Sequence, residues 1–95
     1  MAAPYKPREV GSLKQAFALL VKANGGQTVV AGLLGCSPQH VARMTDGAHP
    51  KTEMRFEQVV LLELRCGQRI VTEWLAAEQG CVVEKIEVGE HASLP

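Results

Sequence analysis

At 95 residues the chain suits one domain with a modest core. Hydrophobic residues make up 46% and aromatics only 4%, so the core must be mostly Leu, Val and Ala; that favours small packed helices over a β-sandwich, with Trp74, Phe17 and Phe56 as the expected large anchors. The formal net charge of zero argues at first against nucleic acid, yet residues 1–55 carry a net +4 and residues 56–95 a net −4, and phosphate attraction is a local matter.

Cys36, Cys66 and Cys81 are odd in number and show no CxxC spacing. Neither a disulfide framework nor a zinc site is expected, and reduced thiols in a cytoplasm are the simple reading. No apolar run approaches the ~20 residues that span a bilayer. Met1 to Val10 carry Pro, Lys and Arg without an apolar stretch, so a signal peptide is not expected.

In chain order, residues 1–9 hold Pro4 and Pro7 and read as a mobile arm. Ser12 is the expected cap of a first helix to Ala23, with Leu13, Ala16, Phe17, Leu20 and Val21 on one stripe. Asn24, Gly25 and Gly26 stop it. A short helix over Gln27 to Leu34 ends at Gly35. Ser37 then caps a third helix, from Pro38 at its first position to about Asp46, with Gly47 just beyond its end. Thr52 is the expected cap of a fourth helix, Glu53 to Arg65, with Phe56, Val59, Val60 and Leu64 inward and Leu61 or Leu62 at the margin. Gly67 breaks it. A fifth helix, about Gln68 to Gln79, places Ile70, Val71, Trp74 and Leu75 inward and stops at Gly80. Val82, Val83, Ile86 and Val88 among charged residues suggest an extended tail that can form a strand. The expected fold is all-α: a compact bundle of about five short helices over residues 10–80, between an arm (1–9) and a tail (81–95).

The informative stretch is Gln27 to Met44, QTVVAGLLGCSPQHVARM. A small residue, Ala31, stands where two helices must approach, and Gly35 follows by four, where a turn needs positive φ. Val30, Leu34, Cys36, Val41 and Met44 take the inward places. Gly32 carries the ~1 kcal/mol cost of a helical glycine for no visible reason. This stretch resembles the helix-turn-helix of the lambda-repressor-like superfamily. The wider layout over about residues 10–83, with a DGAHP loop, a Thr-capped fourth helix and a final helix carrying Trp74, is similar to the phage regulatory family related to the CII activators. That resemblance implies a small phage or prophage regulator that binds operator DNA as an oligomer.

In such a motif the second helix enters the major groove by its N-terminal residues. Ser37, Gln39, His40 and Arg43 are therefore the expected base readers. Gln pairs with adenine and Arg with guanine, and Gln39 and Arg43, four apart, share a face. His40 and Ser37 take a phosphate or a further base. Gln27 and Thr28 belong against the DNA backbone, where helix N–H groups favour phosphate. His49, Lys51 and Arg55 are expected to grip phosphate, and Lys6 and Arg8 to act as an arm in an adjacent groove. Arg65, Arg69 and the acidic residues of the second half are expected to face solvent or a partner.

Such proteins usually pair, so a homodimer or higher even oligomer is expected, with Val82, Val83, Ile86 and Val88 as the seam and an apolar face of helix four or five as the alternative. The rival function is a protein-binding adaptor or anti-repressor of the same fold that does not read DNA. No catalytic residues, cofactor or metal are expected: His40, His49 and His91 lack ligand spacing, and nucleotide and hydrolase motifs are missing. The expected location is the cytoplasm, on the nucleoid.

Overall fold

A computed structural model describes residues 12–86. Lys6, Arg8, Val88 and His91 lie outside them. Five helices follow one another: α1 (Leu13–Ala23), α2 (Gln27–Leu34), α3 (Pro38–Met44), α4 (Phe56–Cys66) and α5 (Ile70–Glu78). Among the described residues there is no strand, and no single helix is long and apolar enough to cross a membrane.

α1 starts as its residues require. Ser12 Oγ accepts from the Gln15 N–H at 3.1 Å, and the Gln15 side chain accepts from the Ser12 N–H at 3.2 Å. Its stripe is buried: Ala16, Phe17, Leu20 and Val21 are all under 5% exposed. Around them collect Val30 and Ala31 of α2, Val41 and Met44 of α3, Met54, Val59 and Leu62, and Val71 of α5. α1 is central. It packs on α5 and on α2, α3 and α4, and α2 leaves it at a 91° bend.

Several expectations are corrected. α3 ends at Met44, not Asp46, because Thr45 Oγ1 donates to the Ala42 carbonyl at 2.9 Å and Asp46 turns to accept from the Ala48 N–H. Gly47 does not take a left-handed conformation. α4 begins at Phe56, with Arg55 rather than Thr52 at the cap position. The reason is Met54: the chain runs irregularly over residues 52–55 and seats this side chain, 5% exposed, in the core.

The inward face of α4 is also different. Val59, Leu62 and Glu63 are buried, while Phe56, Val60 and Leu64 face outward at 83%, 53% and 74% exposure. Two polar fastenings set this orientation. The Glu63 carboxylate accepts from the Val71 and Thr72 N–H groups at 2.8 and 2.9 Å and from Thr72 Oγ1 at 2.6 Å. It caps α5, which has no side-chain cap of its own and starts at Ile70 rather than Gln68. Asn24, buried at the end of α1, donates to the Leu20 and Leu62 carbonyls at 2.9 and 3.1 Å. Arg65 Nη1 donates in turn to the backbone and side-chain oxygens of Asn24. Glu63 thus serves the interior, not solvent, while Arg65 is exposed as expected and reaches back to Asn24 with one guanidinium nitrogen.

In α5 only Val71 is fully buried. Ile70 and Trp74 are half-buried and Leu75 is exposed. After Gly80 the Cys81 N–H returns to the Ala76 carbonyl at 2.8 Å. Residues 81–86 then form no strand, for the fold offers no sheet edge to pair with. Val82 and Ile86 are exposed and Val83 is half-buried. Phe17 is the large anchor that was expected, Trp74 is one in part, and Phe56 is not.

Candidate nucleic-acid interface

The candidate interface is built on the α2–α3 pair. α2 ends on Gly35 at φ +75°, where an L side chain is strained, so glycine is the natural occupant. Its N–H and that of Cys36 both donate to the Ala31 carbonyl, at 2.9 and 3.0 Å. The chain turns at once. Ser37 Oγ accepts from the His40 N–H at 3.1 Å, and Pro38 occupies the first position of α3, where a missing N–H costs nothing. Val41 and Met44 anchor α3 in the core at 0% and 1% exposure. A three-residue turn thus joins two short helices that pack on each other.

Burial of Val41 and Met44 decides which face of α3 looks outward. At about 100° per residue, Gln39 and Arg43 lie on the side opposite the anchors and about 40° apart. Ser37, Gln39, His40 and Arg43 are all exposed. His40 lies on the flank, about 100° round from Gln39. The Ser37 oxygen already accepts a hydrogen bond as a cap, which leaves its O–H as the donor for a ligand.

Gln27 and Thr28 are exposed at the start of α2. Gly26 precedes them and supplies no side-chain cap, which suits the opening N–H groups to an outside acceptor. A shallow depression beside them is lined by Lys22, Gly25, Gly26, Gln27 and Thr45. Lys22 is exposed there, and sequence reasoning had used it only in the charge count. The signal that pointed to it is its place in the last turn of α1, three residues before the glycines that start α2.

The loop after α3 is held by one side chain. Lys14 Nζ donates to the carbonyls of Arg43 at 3.1 Å and His49 at 2.9 Å, and also to that of Thr52. The ammonium therefore sits at the negative end of α3 and binds the loop to it. His49, Lys51 and Arg55 are displayed along this segment, all exposed. They are not equal. Arg55 lies 3.2 Å from the Glu57 carboxylate, and His49 Nε2 lies 3.9 Å from Asp46 Oδ2. Lys51 has no ion-pair partner among the described residues and is the least encumbered cation of the three. Lys14, counted in the basic half, is engaged internally and offers little to phosphate.

Comparison with protein-family models, with curated proteins and with solved structures finds no match to this chain.

Proposed function

We propose that the chain is a sequence-specific DNA-binding transcriptional regulator of phage or prophage type, which reads the major groove with α3 as a dimer. The observation that carries this reading is the outward pairing of Gln39 and Arg43 on a helix anchored by Val41 and Met44 and entered through the Gly35–Ser37 turn. Both side chains make bidentate contacts with a base edge, Gln with adenine and Arg with guanine. Around them stand groups suited to phosphate: Lys22 and the opening turn of α2 on one side, Lys51 with His49 and Arg55 on the other. The acidic half of the chain lies on α4, α5 and the tail, away in sequence from the reading helix.

The deciding experiment is fluorescence anisotropy with duplex DNA as salt is raised from about 50 to 200 mM. Counterion release requires a steep, linear fall of log affinity with log salt. Enrichment of genomic fragments on the purified protein then gives the site and its symmetry. The neutral net charge favours the adaptor reading; absence of binding to any duplex at low salt decides for it.

A further inference from the structure

An apolar cleft of about 650 Å³ opens between α1, α5 and the segment that leads into α4. Its floor holds Phe17, Met54 and Val71, each under 8% exposed. Its walls are uncovered: Phe56 is 83% exposed, and Leu13 and Trp74 are half-buried. The surroundings of the Trp74 ring are incomplete in a second way. Nε1 is shut off from solvent yet has no hydrogen-bond partner among the described residues. An indole N–H so placed gives up its hydration and gains nothing in return.

We propose that a stretch of the same chain, Pro4 to Val10, lies along this cleft as a polyproline II ligand in cis. These residues lie outside the described ones, and the docking does not require the DNA reading.

Their order has the period that such a groove reads. Polyproline II has three residues per turn. In that conformation Pro4, Pro7 and Val10 share one face as a continuous apolar stripe. Lys6 and Glu9 share the second face, Tyr5 and Arg8 the third. The two prolines preset φ for this conformation, so little entropy is lost in adopting it. Grooves walled by aromatic rings are the surfaces on which Pro-x-x-Pro stripes pack, and Phe56 and Trp74 wall this one.

The chain also delivers the stripe to the cleft. Leu13, in the cleft wall, stands three residues after Val10. At ~3.1 Å per residue, Val10 is held within roughly 9 Å of it and Pro4 within roughly 28 Å. A tether this short gives an effective concentration on the order of millimolar. Weak contacts then suffice, and any untethered occupant must compete with the tethered one. Finally, a polyproline II backbone makes no internal hydrogen bonds, so its carbonyls are free acceptors. One of them, brought against the Trp74 ring, gives Nε1 its missing partner.

The test is NMR of the full chain, whose single tryptophan gives one indole N–H resonance. Nuclear Overhauser contacts are expected from the Trp74 and Phe56 rings to Pro4, Pro7 or Val10. Pro4→Ser/Pro7→Ser should abolish them, shift the indole resonance and speed its exchange with water several-fold, with unchanged far-UV circular dichroism. Lys6→Pro/Pro7→Lys keeps the composition, breaks the three-residue spacing and should act alike. Absence of any contact between those rings and residues 4–10 in the wild type overturns the docking. So does an indole resonance that is the same in the wild type and in Pro4→Ser/Pro7→Ser, or contacts that persist in the swapped variant. Contacts seen only between labelled and unlabelled chains of a mixed sample overturn it in favour of a second copy. Contacts with Val82 or Ile86 in place of residues 4–10 overturn it in favour of the tail.

Discussion

Lys14 Nζ donates to the Arg43 carbonyl at 3.1 Å, so α1 grips the C-terminal end of α3 from behind its outward face. The same ammonium holds the carbonyls of His49 and Thr52. Lys14→Met removes three charge-assisted hydrogen bonds and keeps most of the aliphatic stem. The expected loss of stability in urea is about 1–3 kcal/mol. Affinity for every duplex should fall, because the reading helix and its loop lose their common support. The salt slope should stay as it is, since no phosphate contact is removed.

Arg43 and Lys51 are expected to fail differently. Arg43→Ala should cost about 1–3 kcal/mol on the preferred site and relax the preference at one base position. Lys51→Ala should weaken all sequences alike and lower the salt slope by about one. Competition binding against a panel of single-base variants separates the two, and equal losses across the panel for both residues would reduce Arg43 to a phosphate contact.

Glu63→Ala should destabilise the fold by about 2 kcal/mol, through the bare N–H groups it leaves at the start of α5. Glu63→Gln keeps one acceptor oxygen and should cost about half as much. Urea midpoints with an unchanged slope are the readout. No loss from the alanine variant would mean that water replaces the carboxylate at no cost.

Two glycines of the α2 region should respond with opposite signs. A Cβ at Gly32 meets nothing within 4 Å, and the residue is helical and exposed. Gly32→Ala should stabilise by about 0.5–1 kcal/mol. Gly35 also has open space around it but sits at φ +75°. Gly35→Ala should destabilise by about 1–2 kcal/mol through backbone strain alone. Thermal unfolding of the pair checks both. If Gly32→Ala is stable but binds DNA poorly, the outer face of α2 approaches the duplex closely, which would account for a helical glycine there.

What the sequence disclosed was local. The Ser12 cap, the left-handed stops at Gly35, Gly67 and Gly80, and the Ser37–Pro38 start of α3 each depend on residues within a turn of one another. The orientation of α4 was not legible. Phe56, Val60 and Leu64 repeat with the same spacing as a core stripe, and periodicity could not rank them against Val59 and Leu62. Contacts from distant positions decided it: Glu63 with residues eight and nine away, Asn24 with a carbonyl 38 away. In the candidate interface, Gln39 and Arg43 could be placed because Val41 and Met44 fix α3 from within the same helix. The engagement of Lys14 could not, since its three acceptors lie 29 to 38 residues along the chain.

Trp74 is the only tryptophan of the chain. Its Nε1 is buried and has no hydrogen-bond partner among the described residues. The ring lines a cleft shared with Lys51, Met54 and Arg55, the same strip of backbone whose Thr52 carbonyl Lys14 holds. One fluorophore therefore borders the segment that carries the loop cations, while lying on α5 and not on α3. Its emission should respond when that segment tightens or slackens, without direct quenching by stacked bases. The protein carries its own optical gauge of the loop, and a titration followed at the indole can time the loop's engagement separately from that of α3.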